Sequence, residues 1–204
     1  QADPLLESVT ASMSQPDLAQ DMKALYIRSL SDRKISRLVR NNMAQALLNQ
    51  SEKNPDLWKA FLSIIDDPTQ DKEWRIFCMQ HMANSAHHAD NEGKQAIHQK
   101  LLEEVRNPDA EFSSRALLML DELERTGNAP LAGQADAFVR EILKNPTANE
   151  LSVSTALGLI GSRKDRRYLP EARLLAREPR PEQRVAVATL GLIGEQSDVD
   201  LLRK

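Results

Sequence analysis

Apolar residues recur every three or four positions along most of the chain, the spacing that gathers them on one face of a helix. Leu57, Trp58, Phe61, Leu62 and Ile65 form one such stripe. Ile97, Leu101, Leu102 and Val105 form another, and Phe138, Val139, Ile142 and Leu143 a third. Other segments are more thoroughly apolar. Trp74, Phe77, Cys78 and Met82 define one face of a helix whose other side carries Ile76 and Met79, and Ala116-Leu117-Leu118-Met119-Leu120 is an unbroken run. A helix needs such a pattern when its hairpin partner and the neighbouring pair both cover it. No stretch keeps the period of two that a strand requires, so the pattern predicts an all-α chain.

The stripes are cut at regular intervals. Asp67-Pro68-Thr69, Asn107-Pro108-Asp109, Asn145-Pro146-Thr147 and Glu178-Pro179-Arg180 each interrupt a helical pattern, with their prolines 40, 38 and 33 residues apart. Proline cannot continue a helix from upstream but suits the turn or first position of the next one. Asp32 is the equivalent mark one segment earlier, and Pro16 marks a first hairpin. Arg40, Arg75, Arg115 and Arg184 each fall near the start of the helix that follows a mark. The clearest internal repeat is Thr155-Ala156-Leu157-Gly158-Leu159-Ile160-Gly161, which returns as Ala188-Thr189-Leu190-Gly191-Leu192-Ile193-Gly194, 33 residues on. These marks predict helical hairpins over 3–31, 32–67, 68–107, 108–145 and 146–178, and an incomplete one over 179–204. Stacked, they form an α-solenoid, one continuous domain over 1–204 with no internal linker. Gly127 and Gly161 are expected to end helices, and Gly158 and Gly191 to let helices cross closely.

The segment from Arg184 to Gly194, with Pro179 before it, resembles a HEAT-like repeat of the phycobilisome-lyase type. Residues 146–170 match nearly as well, although Leu151 stands where such repeats usually have arginine. Val39-Arg40-Asn41-Asn42-Met43-Ala44 is a weaker echo. The resemblance implies a right-handed superhelix of antiparallel helix pairs, HEAT- or armadillo-like, whose second helices line a concave surface. It also implies that Arg184 is a structural arginine at a repeat junction. It implies little chemistry, because such solenoids mostly act as binding scaffolds.

Composition narrows the function classes. The 204 residues carry 27 Lys+Arg against 30 Asp+Glu, a net charge of −3, which does not suit a dedicated nucleic-acid binder. One cysteine cannot make a disulfide within the chain, and seven glycines with 4% aromatics do not suit an all-β sandwich. No apolar run of about 18 residues predicts a membrane span. A start at Gln1 without Met reads as a trimmed chain or as a mature exported bacterial chain, the exported reading being preferred.

The four histidines, His81, His87, His88 and His98, lie close together with Asp90 and Glu92 among them, so a metal site or metal enzyme on His81, His87, His88, His98 and Asp90 is one alternative. Yet no His-Glu pair is present, and His81 falls on the Trp74 stripe, where a packed core histidine is the plainer reading. Cys78 sits among large apolar residues and reads as a buried thiol; Trp58 and Trp74 read as core. No nucleophile elbow, phosphate-binding loop or dinucleotide glycine pattern occurs, so no catalytic residue and no cofactor is expected.

Charge is uneven along the chain. Residues 163–184 hold Arg163, Lys164, Arg166, Arg167, Arg173, Arg177, Arg180 and Arg184 against four acids, a local +4, whereas residues 71–130 sum to −4. The arginine fork suits carboxylates and phosphates, so Arg163, Lys164, Arg166, Arg167, Arg173 and Arg177 form a candidate patch for an acidic protein segment. Nucleic acid bound through 163–184 is a further alternative. The plainer reading is of solvated faces and ion pairs between repeats. The leading expectation is a non-enzymatic scaffold that binds a protein partner on this patch or on the concave row. Lys59, Gln99, Arg140 and Arg173 lie off the apolar stripes of second helices and are candidate contacts there. Apolar Val199, Leu201 and Leu202 near the end of the chain suggest end-to-end self-association.

Overall fold

The structure, a computed structural model, describes residues 4–15 and 17–199. The Pro16 mark and the apolar Leu201 and Leu202 lie outside the described residues. Among the described residues eleven α-helices follow one another: α1 (Pro4–Ser12), α2 (Gln20–Ser29), α3 (Arg37–Leu48), α4 (Leu57–Asp66), α5 (Lys72–Ser85), α6 (Asn91–Glu104), α7 (Ala110–Arg125), α8 (Gln134–Lys144), α9 (Glu150–Arg163), α10 (Leu169–Arg177) and α11 (Gln183–Ile193). Among the described residues there is no strand, and the core is built by helix packing on helix. No described helix is long and apolar enough to cross a membrane.

The marks that cut the sequence are turns with a common chemistry. The Asp67 carboxylate accepts from the Thr69 N–H at 2.9 Å, Asn107 Oδ1 from Asp109 N–H at 2.9 Å, and Asn145 Oδ1 from Thr147 N–H at 3.0 Å. Asp32, which has no proline after it, accepts from Lys34 N–H at 2.9 Å in the same way. A short side chain that accepts two residues on reverses the chain locally, and proline fixes the backbone between. Four residues past three of these turns stands the cap of the next helix. Ser36 accepts from Val39 N–H, Asp71 from Trp74 N–H and Asn149 from Leu151 N–H. Each cap satisfies an N–H that the first helical turn leaves without a partner.

Two compact units make up the chain, one from Gln1–Glu104 with Met119–Ala132, the other from Val105–Leu118 with Gly133–Lys204. In the first, α1 packs on α3 and α3 on α5, while α4 lies close against α5 and α2 against α3. In the second, α9 packs on α11, α10 on α11 and α8 on α9. The closest helix pairs therefore flank the turns, α4 with α5 across Pro68 and α10 with α11 across Pro179. Leu30, Met43, Leu47, Phe61, Ile65, Trp74, Met79 and Met82 are fully enclosed in the first unit; Val139, Ala156, Leu157 and Leu190 are enclosed in the second. Phe77 departs from its expected stripe and is 42% exposed, because α5 turns Met79 inward instead.

Long-range hydrogen bonds join residues about one segment apart. In the first unit Leu18 N–H donates to Gln50, Gln70 Nε2 to the Ser31 carbonyl, and Arg33 to the Thr69 carbonyl. In the second, Thr189 Oγ1 donates to the Leu157 carbonyl at 3.1 Å, and Tyr168 OH to Asp136 at 2.8 Å. The arginines after the marks share a role at two positions. Arg75 Nε donates to the Ile65 carbonyl at 2.8 Å, and Arg40 Nη1 reaches the Leu30 carbonyl at 3.5 Å; each cation sits at the end of the preceding helix, where carbonyls lack partners. Arg40 is buried, pairs with Asp71 and Gln70, and lies 4.9 Å over the Trp74 ring, whose Nε1 donates to the same Leu30 carbonyl. Arg184 is exposed and takes no such place.

The glycines are also redistributed. Gly127 ends α7 with φ +72° as expected, but Gly161 lies inside α9, which ends at Lys164 with φ +53°. A side chain at Gly158 or Gly191 would meet open space, whereas a Cβ at Gly161 would stand 2.9 Å from Leu192 Cδ1. The close crossing of α9 and α11 therefore runs through Gly161. Gly93 is tighter still, with Trp58 Nε1 at 2.6 Å and Ala89 Cβ at 2.9 Å from such a Cβ. Gly158→Ala and Gly191→Ala are each expected to stabilise the fold by about 0.5–1 kcal/mol of helix propensity, read as a higher urea midpoint, and Gly93→Ala to lower that midpoint. Destabilisation by Gly158→Ala would contradict the open placement.

Candidate functional site

The basic segment is largely engaged within its own unit. Asp136 on α8 gathers Arg167 Nη2 at 3.0 Å, Arg163 Nη1 at 3.8 Å, Arg140 at 3.2 Å and the Tyr168 hydroxyl. Arg167 also pairs with Asp165 at 2.6 Å, and that hydrogen bond raises the guanidinium's pKa while it lowers the carboxyl's. Arg166 donates to the Ile193 and Gly194 carbonyls, closing the C-terminal end of α11. Arg173 binds Asp198 at 2.6 Å and Glu195 at 2.8 Å, and the arginine holds the buried Asp198 carboxyl below its usual range. Arg180 pairs with Glu178. Arg177 is exposed near Asp198, while Lys164 and Arg184 are exposed with no ion pair among the described residues. Most of the arginines thus tie together α8, α9, α10 and the end of α11.

The histidines do not converge. His81 is buried within α5, its ring 5.5 Å from Phe61 and edge-on to Trp74, with Nε2 3.0 Å from Asn41 Oδ1. Burial pushes its pKa down to about 4. His98 is buried on α6, and burial lowers it too, against the opposing field of Glu124. His87 and His88 are exposed after α5, with His87 Nδ1 3.0 Å from the Asn128 amide nitrogen. Asp90 accepts from the Gly93 N–H and caps α6. Among the described residues no three His, Cys, Asp or Glu side chains are grouped to hold a metal ion. Cys78 is fully enclosed, and burial pushes its thiol pKa up, away from the reactive thiolate.

The expected second-helix contacts differ in their surroundings. Lys59 is exposed, pairs with Asp56 and lies over the Trp58 ring; Gln99 lines a broad, open hollow on α6 with His98 and Leu131. A better-formed cleft of about 250 Å³ lies in the second unit, at the turn between α10 and α11. Ile142 and Leu143 of α8 and Leu174 and Leu175 of α10 form apolar walls. Glu171, Glu178 and Glu182 supply carboxylates, and Lys144 stands exposed at the same cleft. Glu182 is only 8% exposed, and its Oε2 is buried without a hydrogen-bond partner, as is Oε2 of Glu171.

Searches against family models, curated proteins and solved structures found no match.

Sequence reasoning missed this cleft. Glu171 and Glu182 look like any glutamate in a first helical turn, and nothing in the local pattern says that they are buried. The one available signal was a Glu/Glu pair at 178 and 182, where the turns at Asp32, Asp67 and Asn145 place Asp, Asn or Ser at both positions.

His81 and His98 are held neutral by their surroundings, so below about pH 6.5 the unfolded chain takes up protons that the folded chain refuses. Their contribution to stability is complete above that pH and is lost as pH falls towards 4. For His81 the loss amounts to roughly 3 kcal/mol. Urea unfolding at about pH 7 and about pH 4 should show it, and His81→Gln, which does not ionise, should have a smaller slope than the parent. Equal slopes in the two proteins would contradict the burial argument.

Proposed function

We propose that the chain is a non-enzymatic helical-repeat scaffold that binds a protein partner, its hairpins stacked as a HEAT-like α-solenoid. The observation that carries this reading is the recurrence of one turn chemistry at Asp32, Asp67, Asn107 and Asn145, together with hydrogen bonds that link residues one segment apart. Each hairpin alone would expose the apolar side that its neighbour covers, and repetition of that contact yields an extended surface without a catalytic centre. The engagement of Arg163, Arg166, Arg167 and Arg173 with internal carboxylates and carbonyls makes them ties between helices, so the basic segment is a weaker docking patch than its charge suggests.

The test is capture of a partner by the full chain and by versions shortened one hairpin at a time from the N-terminus. A scaffold with distributed contacts loses affinity in steps. Lys164→Glu with Arg177→Glu, which leaves the internal ties in place, is expected to change capture less than removal of one hairpin. Loss of all function on a single substitution at His81, His98 or Cys78 in a protein that remains folded would instead favour an enzyme or metal protein.

A further inference from the structure

The last turn departs from those at Asp32, Asp67 and Asn145 in both of its side chains; the Asn107 turn also has a glutamate four residues on, Glu111, but there α7 starts earlier and the Asp109 carboxylate accepts from the Glu111 N–H at 2.9 Å. Asp32/Ser36, Asp67/Asp71 and Asn145/Asn149 pair a turn-closing group with a helix cap four residues on, and the corresponding pair is Glu178/Glu182. Glu178 closes no turn with its side chain. Its carboxylate pairs with Arg180 at 2.6 Å, and the turn is held by the Arg180 N–H on the Glu178 carbonyl. Glu182 stands at the N-cap of α11, where its carbonyl accepts from the Ala186 N–H but its side chain accepts nothing from that helix. A glutamate is a poor choice for capping, and this one is nine-tenths buried with an oxygen that no donor reaches. A buried carboxylate oxygen without a donor is costly, and a capping Asn or Asp would have avoided the cost. Local rules are broken in this way where a site needs the group.

The missing donor has a definable chemistry. No third ligand stands near enough for a metal ion among the described residues. Arg180 is engaged by Glu178, which leaves Glu171 and Glu182 as the unmatched carboxylates. A planar cation with several N–H groups suits two carboxylates better than a point charge does. The walls of Leu174, Leu175 and Ile142 suit the methylene stem that carries such a cation. At about 250 Å³ the cleft is smaller than the roughly 300–1,000 Å³ of sites for whole small-molecule ligands, and it matches one long side chain.

We infer that this cleft receives an arginine side chain of the protein partner, with the guanidinium donating to Glu182 and Glu171 and the stem lying along α10. The inference rests on the scaffold reading and names the chemistry by which the partner is recognised. The probe is N-acetyl-arginine amide, titrated into the isotopically labelled full chain and followed by amide chemical shifts, with the neutral citrulline analogue as control. Saturable shifts around Glu171, Leu175 and Glu182 are expected with arginine and none with citrulline. Glu182→Asn supplies the helix cap, so its melting temperature should rise while arginine affinity falls by about tenfold or more. Glu171→Gln, on a different helix, should weaken binding without that rise. Equal response to both probes, no saturable shift, or a Glu182→Asn protein that binds as before would overturn the inference. Failure here, with capture still lost stepwise on shortening, leaves the scaffold reading intact. Arginine binding in a chain whose shortening never weakens capture would sink that reading alone.

Discussion

A side-chain oxygen accepting from the backbone two residues on sets the frame of this molecule. That bond, made by Asp32, Asp67, Asn107 and Asn145, ends one helix and delivers the chain to the start of the next. Between these turns run the helices, and across one of them α4 and α5 bring their apolar sides together. The bond itself is worth little, on the order of 1 kcal/mol. Its effect lies in fixing where packing begins. Burial of residues such as Trp74, Phe61 and Leu157 then supplies the larger share of stability.

Charge follows the same frame. Arg40 and Arg75 sit beside carbonyls that the end of the preceding helix leaves without helical partners, and Arg166 does the same for α11. Asp136 and Asp198 each collect arginines from neighbouring helices. Arginine is suited to such places because its fork satisfies several acceptors at once. The local excess of cations over 163–184 therefore reports internal cross-ties more than a surface awaiting a polyanion.

Much of the fold was legible in the sequence. The helical stripes of α4, α6 and α8 and the turn marks from Asp32 to Pro179 predicted elements that the structure contains, because spacing and proline act locally. What was hidden depends on neighbours. Phe77 shares the spacing of Trp74 and Cys78, and only the packing of α5 decides that it faces outward. Gly158 and Gly191 are indistinguishable in sequence from Gly161, yet Leu192 lies against Gly161 alone. The same limit governs the site. A histidine cluster within 18 residues looked like a possible metal site, but helix phase sends His81 inward and leaves His87 and His88 on a turn. Glu171 and Glu182, eleven residues apart on successive helices, carry no mark of burial at all.

The proposed solenoid requires hairpins that continue one another along the chain. Small-angle X-ray scattering of the full chain tests that claim most directly. A compact globule of 204 residues has a radius of gyration of about 17 Å. Stacked hairpins predict a value several ångströms larger, roughly 20 Å or more, with an elongated distance distribution. A radius near about 17 Å with a symmetric distribution would contradict it.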